Sequence, residues 1–132
     1  MYQKLIIIGN LGSNPEQRFT PSGDPVTNFS VATSYKRGDK DETTWFRVTV
    51  WNKQAESCNQ YLSKGSKVLV EGRLKSGNDG SPTTYQRKDG TWAASYELFA
   101  DNVRFLSGKD ETVRSYADDA SGDYNADDDI PF

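Results

Sequence analysis

The chain has 132 residues, of which 34% are hydrophobic and 27% are charged, and these values favour one soluble domain with a modest core. Cys58 is the only cysteine, which excludes an intramolecular disulfide framework and favours a reducing compartment. The sequence contains no run of transmembrane length, and its first residues lack the apolar core of a signal peptide. We therefore expect a cytoplasmic protein that does not contact membranes.

The net charge of -3 is distributed unevenly along the chain. Up to Ser107 there are 14 Lys and Arg against 11 Asp and Glu, whereas from Gly108 onward there are 2 against 8. The second part is also poor in apolar residues, so it cannot bury enough surface to become ordered. We predict a mildly basic domain at residues 1–107 and a flexible acidic tail at residues 108–132.

The first predicted strand, Lys4–Leu11, contains four apolar residues in succession. Such a run buries both faces of a strand, so we expect the strand to be central in its sheet or covered by another subunit. A short strand at Glu16–Thr20 and an alternating strand at Val26–Tyr35 follow, with a turn at Pro21–Pro25 between them.

The most informative stretch is Thr43–Asn52, with the sequence TTWFRVTVWN. Side chains alternate between the two faces of a strand, so Trp45, Arg47 and Trp51 share one face. Flat aromatic rings around a cation suit unpaired nucleobases and their phosphates. A second core face of a β-sandwich would explain the same row. The intervening residues are apolar and suit a core: Phe46, Val48 and Val50.

A helix is predicted at Lys53–Lys64, where apolar residues recur at helical spacing and Gly65 provides a stop. Cys58 lies on the apolar stripe of this helix, so we interpret it as a core residue. The next strand, Lys67–Lys75, directs a row of cations outward: Lys67, Arg73 and Lys75.

The stretch Thr83–Ser95 predicts a hairpin around Asp89-Gly90, a dipeptide that is the strongest short-range hairpin signal. The last predicted strand is Tyr96–Leu106. The hairpin again mixes aromatic and basic side chains: Tyr85, Arg87, Lys88 and Trp92.

Catalytic chemistry finds little support in this sequence. The chain contains no histidine and no cysteine pair, so the usual general base and the usual zinc ligands are missing. Lys64-Gly65-Ser66 lacks the upstream glycine of a phosphate-binding loop. We expect a protein that is not an enzyme and that has no cofactor and no metal site.

Five strands with one helix between the third and the fourth are the order of an OB-fold barrel. Four segments together resemble the bacterial-type single-stranded DNA-binding proteins: LIIIGNLGSNPEQRFTPSGDPVTNFSVAT, TTWFRVTVWNKQAE, YLSKGSKVLVEGRL and the ending DDDIPF. The resemblance implies an all-β, five-stranded OB-fold barrel with one short helix, followed by a disordered acidic C-terminal tail. It also implies a homotetramer that coats single-stranded DNA in the nucleoid and recruits replication, recombination and repair proteins.

The resemblance assigns base stacking to Trp45 and Trp51, with Tyr85 near a third stacking position. Relatives often have Trp after the position of Tyr35, where this chain has Lys36-Arg37. The predicted DNA-binding residues are Trp45, Arg47, Trp51, Lys53, Lys64, Lys67, Arg73, Lys75, Tyr85, Arg87, Lys88 and Trp92. The predicted partner-binding tip is Asp127, Asp128, Asp129, Ile130, Pro131 and Phe132.

Two other classes of protein remain open at this point. An RNA-binding OB-fold of the cold-shock type would bind RNA more tightly than DNA of equal length. A pure adaptor would bind protein through its barrel, and oligonucleotides would then leave its tryptophan fluorescence unchanged.

Overall fold

The computed structural model describes residues 1–106. The predicted boundary at residue 107, the acidic tail and the tip Asp127–Phe132 lie outside the described residues. The described residues form seven strands and one helix: β1 (Leu5–Leu11), β2 (Glu16–Phe19), β3 (Pro25–Arg37), β4 (Lys40–Trp51), α1 (Asn52–Tyr61), β5 (Lys67–Leu74), β6 (Thr83–Gln86) and β7 (Trp92–Phe105).

Five of these strands close into a barrel. β3 and β4 form a long antiparallel hairpin, and β4 pairs in parallel with β7. β7 pairs with β5, β5 pairs with β1, and β1 closes the circle on β3. α1 lies between the third and fourth barrel strands, so the predicted OB-fold barrel is confirmed. The two short strands lie outside this circle: β2 pairs with β3, and β6 pairs with β7.

The barrel core follows from the alternation of apolar residues along its strands. Its fully buried members come from four strands: Val31, Val48, Val50, Val68, Val70 and Leu98. α1 adds Ala55 and Cys58 to this cluster. The buried Thr27 hydroxyl donates a hydrogen bond to the carbonyl oxygen of Ala55 over 2.6 Å, which satisfies a polar group inside the core.

Several element boundaries differ from the sequence-based prediction, since β3 continues to Arg37 and β4 already begins at Lys40. The helix ends at Tyr61, because Leu62 adopts an extended backbone and buries its side chain in the core. Gly65 therefore does not stop the helix; it occupies a turn in which Ser66 N–H donates to the Ser63 carbonyl, and its φ is 93°. The second hairpin arm and the last predicted strand form the single strand β7.

The two faces of β1 differ in burial. Its inward side chains, including Ile7 and Leu11, belong to the core. Its outward side chains Ile6 and Ile8 are 54% and 37% exposed. The barrel therefore buries one face of this apolar strand and leaves the other uncovered.

Candidate nucleic-acid interface

The tryptophan strand β4 lies in the middle of an outward-facing sheet surface. It pairs with β3 on one edge and with β7 on the other. Because paired residues share a face, this register aligns Arg47 with Ser30 on β3 and with Glu97 on β7. On the side of β7 away from β4, Lys75 directly follows β5. Its backbone N–H donates to the Glu97 carbonyl over 2.8 Å.

Trp45 and Trp51 both face outward on β4, as the alternation predicted. Their side chains are 53% and 43% exposed, which disagrees with a second core face. The Trp45 indole lies against the backbone of Gly12, just after β1. This contact supports one side of the ring and leaves the rest of it in solvent.

Trp51 ends β4, and the chain turns into α1 at the next residue. Asn52 has a φ of 60°, in the left-handed region that asparagine tolerates better than most residues. Lys53 follows on the first turn of the helix and is exposed. The turn therefore brings one predicted stacking residue and one predicted DNA-binding cation together at the end of the strand.

Phe99 is a member of this surface that the sequence interpretation missed. It is the partner of Thr49 on β4 and of Arg73 on β5. The Arg73 guanidinium carbon and Lys75 Nζ lie 5.8 and 5.7 Å from the centre of its ring, which are cation–π distances. Alternation along β7, with Leu98 inward, would have identified Phe99 as outward.

The hairpin of β6 and β7 separates two predicted aromatic residues. Tyr85 pairs with Ala93, and Trp92 pairs with Gln86, so Tyr85 and Trp92 point to opposite faces. Tyr85 faces the β4 surface and shares a cavity with Trp45 and Arg47. Trp92 is exposed on the other side.

Arg87 and Lys88 lie in the turn of this hairpin and are exposed. Asp89 organises the turn, because its carboxylate accepts hydrogen bonds from the backbone N–H and the hydroxyl of Thr91. These bonds hold the pKa of Asp89 below its usual value.

Two further predicted cations lie away from the centre of the surface. Lys64 precedes Gly65 in the turn after α1, and its backbone N–H donates to Asn14 over 2.8 Å. Lys67 begins β5, six residues before Arg73, opposite Asn10 of β1. The structure thus brings Arg47, Arg73 and Lys75 into one area and leaves Lys67 at the far end of β5. For all these residues, contact with DNA stays a prediction.

The described residues offer little for other kinds of chemistry. Within residues 1–106, no group of His, Cys, Asp and Glu side chains could hold a metal ion. Cys58 is buried, and desolvation raises the pKa of its thiol to about 12, so it is a poor nucleophile. The same described part of the chain has no helix that is long and apolar enough to cross a membrane.

An OB-like barrel with exposed aromatic rings and cations on one sheet surface belongs to the class of barrels suited to single-stranded nucleic acids. The chain is a member of the single-strand binding protein family, whose model matches residues 2–106. Membership in this family of binding proteins confirms that the chain is not an enzyme.

Named relatives agree with the family match. The chain is 41% identical over 113 residues to the "Single-stranded DNA-binding protein" of Neisseria meningitidis serogroups A and B, an alignment that covers 82% of this chain. It is 38% identical over 112 residues to "Single-stranded DNA-binding protein 1" of Chlorobaculum tepidum, covering 81% of this chain. The chain spans 62% of the length of the Neisseria proteins and 66% of the Chlorobaculum protein.

Proposed function

We propose that this protein binds and protects single-stranded DNA, largely without regard to sequence. The observation that carries the proposal is the outward face of β4, where Trp45 and Trp51 are exposed on either side of Arg47. Every base has a flat face that can stack on an indole, so this mode of binding tolerates any sequence.

The dimensions of the strand indicate how DNA lies on this surface. Trp51 is six positions after Trp45, which is roughly 20 Å at the rise of a β-strand. The two rings therefore stack on different bases of one extended strand. Arg47, Arg73 and Lys75 contact phosphates between and beside these bases. Phosphate contacts add affinity without adding sequence information.

The uncovered face of β1 supports assembly into a homotetramer. Ile6 and Ile8 form an outward apolar row on a strand whose inner face is already buried. A second copy of the chain would remove this row from water. Assembly would also place several DNA-binding faces on one particle, which increases the length of DNA held at once.

We assign the acidic tip to recruitment of replication, recombination and repair proteins, and the site of action to the nucleoid in the cytoplasm. Three aspartates, Asp127 to Asp129, precede Ile130, Pro131 and Phe132 in the sequence. Carboxylates accelerate encounters with a basic partner, and the apolar side chains of Ile130 and Phe132 give specificity.

The binding proposal is tested by titrating the protein with poly-dT while tryptophan fluorescence is followed. A stacked base contributes about 1–3 kcal/mol, so Trp45→Ala and Trp51→Ala should each weaken binding about ten- to a hundredfold. Tyr61→Ala serves as the control, because Tyr61 is an exposed aromatic residue on α1 that packs near Phe105. If both tryptophan variants bind as the control does, the assignment of the β4 face is wrong. Tighter binding to poly-U than to poly-dT would instead favour an RNA-binding protein.

A further inference from the structure

A cavity of about 440 Å³ opens beside Trp45, between β4 and the hairpin of β6 and β7. Trp45 and Tyr85 line it from the outward face of the sheet. Phe46 and Tyr96 also border it, but their side chains point to the opposite face, where the two rings pack with centroids 5.7 Å apart. This volume lies within the usual range for small-ligand pockets, and aromatic walls suit a flat occupant. An unpaired base of single-stranded nucleic acid can leave its neighbours and enter such a pocket.

The polar side of the cavity carries the carboxylate of Glu97, on a surface where the neighbouring charged residues Arg47, Arg73 and Lys75 are cations. Glu97 lines the cavity, and its side chain is only 13% exposed. Ser95 Oγ donates to Glu97 Oε2 over 2.8 Å, and Lys75 Nζ lies 3.3 Å from Oε1. A carboxylate can accept about four hydrogen bonds, so both oxygens keep capacity for a ligand. An ionised carboxylate accepts hydrogen bonds and donates none, so it suits the N–H donors of a base better than the oxygens of a phosphate.

Arg47 supplies the complementary donor. It lines the same cavity and is the direct β-sheet partner of Glu97. An acceptor and a donor therefore stand side by side at the polar side of an aromatic pocket. Guanine fits this pair, because its N1–H and N2 amino group can donate to a carboxylate while O6 and N7 accept from an arginine. Thymine fits badly, because its single N3–H lies between two carbonyl oxygens that would face the carboxylate.

We infer that this cavity is a base-selective subsite, in which Glu97 and Arg47 favour guanine over thymine at one position of the bound strand. The inference rests on the proposed binding of single-stranded DNA and adds a preference at one subsite to an otherwise sequence-tolerant surface. Glu97 is thus a specificity-determining residue.

The test compares short oligonucleotides of thymine alone with the same oligonucleotides carrying one central guanine or one central inosine. Inosine stacks like guanine but lacks the N2 amino group. For the wild-type protein we expect the guanine oligonucleotide to bind about tenfold more tightly than the all-thymine one. Inosine should lose most of this gain, which a preference caused by purine stacking would not do.

Glu97→Gln is the matching variant, because it keeps the shape and replaces one acceptor by a donor. We expect it to lose the guanine preference, measured as the ratio of its affinities for the guanine and the all-thymine oligonucleotides. Glu56→Gln is the control, since it removes the same charge from an exposed position on α1 and should retain the preference. Equal affinity of the wild-type protein for guanine and thymine oligonucleotides, or an unchanged preference in Glu97→Gln, would overturn the inference. Failure to bind the all-thymine oligonucleotide would instead overturn the proposed function.

Discussion

The indole of Trp45 packs so closely on Gly12 that a Cβ added at position 12 would lie 2.6 Å from Cη2 of the ring. Gly12 also donates its backbone N–H to Ser30 on β3 over 3.0 Å, so it cannot move away without breaking that hydrogen bond. The glycine therefore fixes the height at which the indole stands above the sheet. The position of this ring is determined by a residue 33 places earlier in the sequence.

Gly12→Ala should displace the Trp45 indole without unfolding the barrel. We expect affinity for poly-dT to fall about tenfold, since part of the 1–3 kcal/mol of one stacking contact is lost. Quenching of tryptophan fluorescence measures the effect, and a thermal melt checks the fold. Ser13→Ala, at the exposed neighbouring position, is the control and should bind normally. Wild-type affinity in Gly12→Ala would show that the indole needs no support.

Arg47→Ala should change the salt dependence of binding. A phosphate contact releases counterions, so removing one should lower the slope of log affinity against log salt by about 0.7 on single strands. Titrations at several salt concentrations measure this slope. Arg18→Ala on β2 removes the same charge at an exposed site beside Glu16 and should leave the slope nearly unchanged. A slope on all-thymine DNA that stays at the wild-type value in Arg47→Ala would contradict a phosphate contact.

Ile6→Lys and Ile8→Lys should prevent assembly while the barrel remains folded. Both side chains point outward, so the new charge is solvated in the free subunit but would be buried unpaired between subunits. Sedimentation should detect smaller particles. Phe19→Lys places the same charge on another exposed apolar residue, on β2, and should keep the wild-type mass. A folded tetramer in the Ile variants would exclude this face as the contact.

The buried thiol of Cys58 should make stability depend on pH in alkaline solution. Burial raises the pKa of Cys58 from 9.0 to about 12 in the folded state, so above pH 9 the unfolded chain loses this proton first. The contribution of this thiol to the free energy of unfolding is fully present below pH 9. It decreases as the pH rises from 9 towards 12, and the loss is about 1 kcal/mol at pH 10. The free energies of unfolding of the wild type and Cys58→Ala, measured with urea, should change differently between pH 8 and pH 10. Parallel pH profiles would indicate that the thiol ionises equally in both states.

Deleting Phe132 should abolish capture of partner proteins and leave binding of poly-dT almost unchanged. The Phe132 ring is expected to enter an apolar pocket, whereas the three aspartates accelerate the encounter. Pull-down from a bacterial lysate and a parallel DNA titration measure the two effects. Replacing Asp127, Asp128 and Asp129 by asparagine is the comparison. If that variant loses its partners and the Phe132 deletion keeps them, the tip acts through charge alone.

The local parts of this site were predictable from sequence. Alternation along β4 assigned Trp45, Arg47 and Trp51 to one face, because the direction of side chains in a strand depends only on position. The turn signal Asp89-Gly90 located the hairpin. Both rules act over a few residues, so one sequence is sufficient to apply them.

The register between strands that are distant in the sequence was not predictable from such local rules. The parallel register between β4 and β7 puts Glu97 beside Arg47, and no local pattern specifies which residues of two distant strands will meet. The hairpin register poses a related problem, because a shift of one residue exchanges the two faces. Pairing of Trp92 with Gln86 therefore separates Trp92 from Tyr85, although both were assigned to one cluster.

The parallel pairing of β4 with β7 also determines when the protein becomes functional during its synthesis. Phe46 can pair with Tyr96 only after the ribosome has added another 50 residues. The hairpin of β3 and β4 can form early because its partners are close in sequence, whereas closure of the barrel requires the last strand. A nascent chain therefore exposes its tryptophans before Arg73, Lys75 and Phe99 are available beside them. Truncation anywhere before β7 should leave an open, aggregation-prone sheet and no partly active fragment.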